Sequence, residues 1–213
     1  MGGLLAKEYY TLRRYFKQYI ILFIFFGVLS IYIMESVIYF QAMVTMSMSM
    51  LVFTGMSFDM AAGWDKFVLT MPVSRKDVVL SKYVCCLIYA LASLLVTTVF
   101  GVLLGAIHPM RDNDLYLLLG TALVLFCIIC VIYAVLLPMI FKFGVERTRI
   151  LMMAVIFIPV FAIVAGIQYL PETVIAFMVQ NVNLMVALAV ALSILLYIGS
   201  YFMSLGIFSK KEF

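Results

Sequence analysis

Six apolar runs, at about Tyr19–Met34, Val37–Phe58, Tyr83–Ile107, Leu115–Phe141, Ile150–Leu170 and Leu184–Phe208, occupy most of this chain and limit what it can become. A helix needs roughly 20 such residues to cross a hydrocarbon layer about 30 Å thick. The runs are too long for strands and lack a strand's alternation. Lipid offers no partner to an open sheet edge, so helices are the remaining solution. With 67% of its 213 residues hydrophobic and 11% charged, the chain carries more apolar surface than one globular core can hide. The expectation is an all-α membrane protein, one transmembrane domain over 1–213 with six spans.

The basic residues orient those spans. With the N-terminus inside, the inner segments hold Lys7, Arg13, Arg14 and Lys17, then Lys66, Arg75, Lys76 and Lys82, then Lys142, Arg147 and Arg149, then Lys210 and Lys211. That is 13 of the 14 Lys and Arg, with Arg111 alone outside, and shifting the count by one helix would destroy the asymmetry. Both termini are therefore expected in the cytoplasm of a multi-pass plasma-membrane protein. The outer connections are a tight turn near Glu35 and Ser36, the loop His108–Asp114, and the segment Pro171–Asn183. Pro171 and Glu172 suit a helix start, so that last segment is expected as a short outer-face or re-entrant helix. No basic surface interleaved with aromatics is present, which excludes a nucleic-acid partner.

The first run follows a basic stretch, as in a signal peptide, but no small-x-small cleavage pattern ends it, and it reads as a retained span. Residues 1–18 are amphipathic. Leu5, Tyr9, Leu12, Phe16 and Tyr19 recur at steps of four and three, while Lys7, Thr11, Arg14 and Gln18 share another face. Such a helix lies in the headgroup layer with its basic side toward anionic lipid. A basic flank that only fixes topology is the plainer alternative.

The first inner loop, Asp59 to Lys82, is too patterned for a simple connector. Trp64, Phe67, Val68 and Met71 fall at i, i+3, i+4 and i+7, one apolar face with Asp65 and Lys66 off it. Pro72 stops that helix. Ser74 and Asp77 then form an S-x-x-D capping pattern before the third span. The pattern is short amphipathic helix, sharp turn, capped new helix. It serves either as a docking element for a soluble partner or as a surface helix anchored by Trp64 at headgroup level.

At this loop the chain resembles a known family. Asp59, Trp64-Asp65-Lys66, Thr70-Met71-Pro72-Val73-Ser74-Arg75 and Val79-Leu80-Ser81-Lys82-Tyr83 are similar to the first cytoplasmic loop of small permeases of the ABC-2 (type-2 ABC exporter) family. The family pattern is Leu-Pro-Val-Ser-Arg followed by a Lys-Tyr pair opening the third span; here Met71 stands for the Leu. The branch includes exporters of amphipathic peptides such as phenol-soluble modulins, and permeases linked to bacteriocin self-protection. The resemblance implies two permeases, identical or homologous, and two copies of an ABC ATPase. It places the ATPase-coupling role on Trp64, Asp65, Lys66, Phe67, Met71, Pro72, Val73, Ser74 and Arg75, with Lys142–Arg149 as an accessory contact or merely topology markers. The chain has no G-x-x-x-x-G-K-[ST] phosphate loop. No cofactor is therefore expected on this chain, and ATP and magnesium fall to the partner ATPase.

Other constellations carry less chemistry. Cys85-Cys86 and Cys127-x-x-Cys130 lie inside apolar runs without His or carboxylate nearby, and read as small buried hydrophobes rather than a metal or redox site. Met43, Met46, Met48 and Met50 invite a Cu(I) reading. Adaptable packing suited to variable amphipathic cargo is the better one. His108 has no partner that would make it catalytic. In the last run Ser193, Tyr197, Ser200 and Ser204 form a hydroxyl stripe, echoed by Thr45 and Ser49 in the second. Both stripes mark helix interfaces or the lining of a translocation path, and Gly199 and Gly206 are expected to allow close approach beside the first. The expected function is a permease subunit exporting amphipathic or antimicrobial-type peptides under a separate ATPase. A stand-alone carrier or channel is the alternative.

Overall fold

A computed structural model describes residues 2–13, 15–68, 70–107, 114–148 and 181–210, with isolated positions between 151 and 180. Among these, every regular element is helical: α1 Gly2–Arg13, α2 Phe16–Leu29 continued by a π-helical turn Ser30–Met34, α3 Val37–Ala61, α4 Trp64–Val68, α5 Arg75–Ile107, α6 Leu115–Phe143 and α7 Val182–Ser209. Five described stretches are long and apolar enough to span a bilayer: Phe16–Met34, Val37–Ala61, Arg75–Ala106, Leu115–Phe143 and Val182–Ser209. The expected span 150–170, the loop around His108 and the outer segment 171–183 lie largely outside the described residues.

Two boundaries differ from the sequence reading for local reasons. The amphipathic segment and first span part at Arg13–Phe16 rather than at residue 18, because the chain turns there, with Tyr15 N–H donating back to Leu12 O. The third helix begins eight residues early, at Arg75, because the cap forms. Asp77 N–H donates to Ser74 Oγ at 3.2 Å, Ser74 N–H donates to Asp77 Oδ2 at 3.3 Å, and the two side chains meet at 2.7 Å. Polar residues from Arg75 to Lys82 thus ride on the helix rather than in the loop. The turn between the first two spans falls at the residues expected for it: Glu35 takes a left-handed φ of 50°, and Ser30 Oγ donates to Ser36 O at 2.5 Å.

α6 packs against α3, α5 and α7. The apolar core runs through Val52, Met56, Val79, Tyr133, Leu137 and Phe208, drawn from α3, α5, α6 and α7. Gly101 of α5 allows α3 to approach, since a Cβ there would stand 3.1 Å from Val37 Cγ1. Gly199 and Gly206 of α7 meet nothing within 4 Å among the described residues, so none of those makes the expected close approach there. Gln41, fully buried in α3, donates to Leu118 O at 3.1 Å and accepts from Thr121 Oγ1 at 2.6 Å, pinning the opposite end of the bundle.

Candidate functional site

The basic ends of the helices gather at one end of the bundle. There α1, the α3–α5 connection, the turn after α6 and the end of α7 meet. Gly144 at a φ of 84° lets the chain turn after α6, and Val145 N–H lies 3.0 Å from Met60 Sδ.

At the centre of this end are four charges that the sequence reading did not join. Lys7 and Glu8 come from α1, Asp59 from α3 and Lys82 from α5. Lys7 Nζ lies 3.1 Å from Glu8 Oε1 and also pairs with Asp59 Oδ1. Lys82 Nζ pairs with both Glu8 Oε1 and Asp59 Oδ2. The result is a closed ring of alternating sign and no net charge. Glu8, Asp59 and Lys82 are buried, which lipid-level helices tolerate only when such groups are mutually paired.

The sequence signal for the ring was the stripe Leu4, Glu8, Leu12, which is the buried face of α1. The face expected to be apolar divides instead. Leu12 turns into the protein, while Tyr9 and Phe16 point outward with ring centroids 6.2 Å apart. Lys7 does not face lipid; it turns toward the ring because two carboxylates wait there.

The loop is fastened to this ring and to the last helix. Lys7 Nζ sits 4.7 Å from the centre of the Trp64 ring, a cation–π contact. Trp64 and Val73 pack on the core, and Val68 is fully buried. α4 ends at Val68, so Met71 leaves its expected face and lies half-buried in the turn. Phe67 is 55% exposed, and Thr70, Pro72 and Ser74 are exposed beside it. The backbones of Asp65 and Lys66 belong to α4. Arg75 donates from Nη1 to Phe208 O at 3.1 Å and to Ser209 O at 2.9 Å, capping the carbonyl end of α7 with a positive charge. A groove of about 510 Å³, lined by Met60, Ala61, Phe143, Glu146 and Arg147, begins directly ahead of the loop.

The hydroxyl stripe of α7 faces α5 and α6. Ser200 Oγ donates to Ala134 O at 2.5 Å, so its oxygen accepts from Tyr83 OH at 2.7 Å. With that phenolic hydrogen engaged, Ser204 Oγ donates to Tyr83 OH, also at 2.7 Å. Tyr197 OH donates to Tyr83 O at 2.7 Å. Ser193 is buried and donates within its own helix to Val190 O at 2.9 Å. Within this chain the stripe is thus engaged in helix contacts. Thr45 and Ser49 are likewise buried, whereas Met46 and Met50 of the same helix are exposed. Consecutive residues of α5 hold the two sides together: Lys82 binds α1 and α3, and Tyr83 binds α7.

Comparison with protein families gives a match to the model described as ABC-2 family transporter protein, over residues 3–209. The chain belongs to the ABC-2 transporter family. It is accordingly a multi-pass permease component of an ABC transporter, a kind of subunit that works with an ABC ATPase. No curated protein and no solved structure matched the chain. Nearly all of this ABC-2 permease lies within the match, including the ring, the loop and the hydroxyl cluster.

Proposed function

We propose that this ABC-2 permease exports amphipathic peptides, or similar amphiphiles, with two copies of a separate ABC ATPase binding ATP and magnesium and driving a pair of identical or homologous permeases. The basic end is cytoplasmic, with both termini there, as the Lys and Arg distribution requires.

The observation that carries this reading is the form of the 64–75 stretch. Trp64 and Val68 root it in the bundle, Phe67 and Pro72 stand outside, and Arg75 ties it to the end of α7. A segment exposed at its tip and rooted at three points suits the transmission of an outside push. The groove beside Glu146 and Arg147 offers the same ATPase a second contact. The path for cargo lies between paired permeases rather than inside one. The hydroxyl stripe is engaged within this chain, whereas the adaptable Met46 and Met50 face away from the bundle.

The test is to co-express the permease with the ABC ATPase found in neighbouring reading frames, purify by a tag on the permease, and follow export of a fluorescent amphipathic peptide from vesicles. Co-purification, with export abolished by an ATPase phosphate-loop substitution, is expected. Export persisting without any ATPase would replace this reading with a stand-alone carrier. The ring does not favour that carrier, because its four charges satisfy one another.

A further inference from the structure

The ring of Lys7, Glu8, Asp59 and Lys82 divides along the seam between α1 and the rest of the bundle in an unusual way. α1 contributes one positive and one negative charge, already 3.1 Å apart, and α3 with α5 contribute the pair Asp59 and Lys82, already in contact. Parting the seam breaks Lys7–Asp59 and Lys82–Glu8 and leaves a neutral pair on each side. An ordinary salt bridge between two helices leaves a lone charge on each when it opens, and that stranded charge is what makes opening costly. This ring has no such penalty of stranding.

The remaining attachments of α1 are slight and arranged as on a hinged strap. Leu4, Glu8 and Leu12 are its buried residues, while Tyr9, Tyr10 and Arg13 face outward. Beneath it lies Gly55 of α3, where even a Cβ would stand in ordinary contact, 3.5 Å from Leu12 and 3.6 Å from Glu8 Oε2, so α3 sends no side chain up between them. At the break between α1 and α2, Tyr15 stacks on Phe58 with centroids 5.9 Å apart and planes 20° apart, which fixes the pivot. Lys7, on the movable side, rests on the ring of Trp64 in the exposed loop. Displacing the loop withdraws that contact from the strap.

We propose that α1 is a releasable strap, clasped to α3 and α5 by the four-charge ring and freed as two neutral halves when the Trp64 loop moves. The trigger rests on the ATPase-coupled reading above; the strap itself does not.

The experiment places the chain in lipid nanodiscs and follows maleimide labelling of the variant Leu12→Cys, resolved by site with peptide mass spectrometry. The buried native Cys86 and Cys130 serve as internal reporters of an intact bundle. The informative change is the exchange Lys7→Glu with Glu8→Lys. It keeps each half neutral and sets like charges across the seam. Labelling at position 12 should rise about tenfold, as for a local opening, while Cys86 and Cys130 stay protected. Unchanged labelling at position 12 overturns the strap. Labelling that spreads to Cys86 and Cys130 overturns it too, because the ring would then hold the whole fold. In the complex with its ATPase, a non-hydrolysable ATP analogue should raise labelling at position 12 with the native ring. If the exchange releases the strap and the analogue does not, the strap stands and its ATP trigger falls.

Discussion

Ser200 of α7 donates its hydroxyl hydrogen to the carbonyl oxygen of Ala134 in α6, the oxygen that Pro138, four residues on, has no N–H to satisfy. Proline in a spanning helix is tolerated when a neighbouring helix supplies the missing donor, and here α7 does.

That relationship gives the first prediction. Ser200→Ala should destabilise the chain by about 1–2 kcal/mol, since it removes the donor to Ala134 and the acceptor for Tyr83. In a Pro138→Ala background the loss should shrink, because an N–H then reaches the Ala134 carbonyl from within α6. Unfolding of the four variants in mixed micelles measures the coupling, and equal losses in both backgrounds would show that the proline is irrelevant.

The ring predicts a reversal of the usual order of damage. Lys82→Met alone leaves the ring with an excess carboxylate and should destabilise by about 3–5 kcal/mol. Adding Asp59→Asn restores neutrality, so the double variant should be more stable than the single. Melting temperatures in detergent decide it, and additive losses would contradict the paired-half description.

Val68 and Phe67 are adjacent and should behave oppositely. Val68→Ala removes a fully buried side chain and is expected to cost about 1–3 kcal/mol of stability. Phe67→Ala should change stability by less than about 0.5 kcal/mol, because its ring is mostly in solvent. Under the proposed function it should nevertheless weaken co-purification with the ATPase and uncouple export. A Phe67→Ala permease with full export would remove the docking role from the tip of the loop.

Ser74→Ala should cost about 1 kcal/mol by removing the cap of α5. The loss should be local, read as faster amide exchange over residues 74–78 with little change in α6. Exchange rising throughout the chain would mean that the cap holds more than its own helix end.

Some of this was legible in the residues. Trp64 marked a short helix, which ends at Val68 before the expected stop at Pro72, and Ser74 with Asp77 marked the next start, because capping is decided within four residues. Met71 was misplaced because the helix ends at Val68, before the apolar periodicity does. Lys7 was misassigned for a different reason. A basic residue on an amphipathic helix looks lipid-facing until its carboxylate partners are known, and Asp59 is 52 residues away.

Run length and charge placement alone determined that this chain is a helical membrane protein, because lipid leaves a long apolar segment no other way to satisfy its backbone. Only the tertiary structure decided that Glu8 meets Lys82, that Ser200 answers Pro138, and that Arg75 caps α7. Those contacts join residues 66 to 133 positions apart, so they exist only once the helices have packed, and the two that are buried draw their strength from pairing away from water.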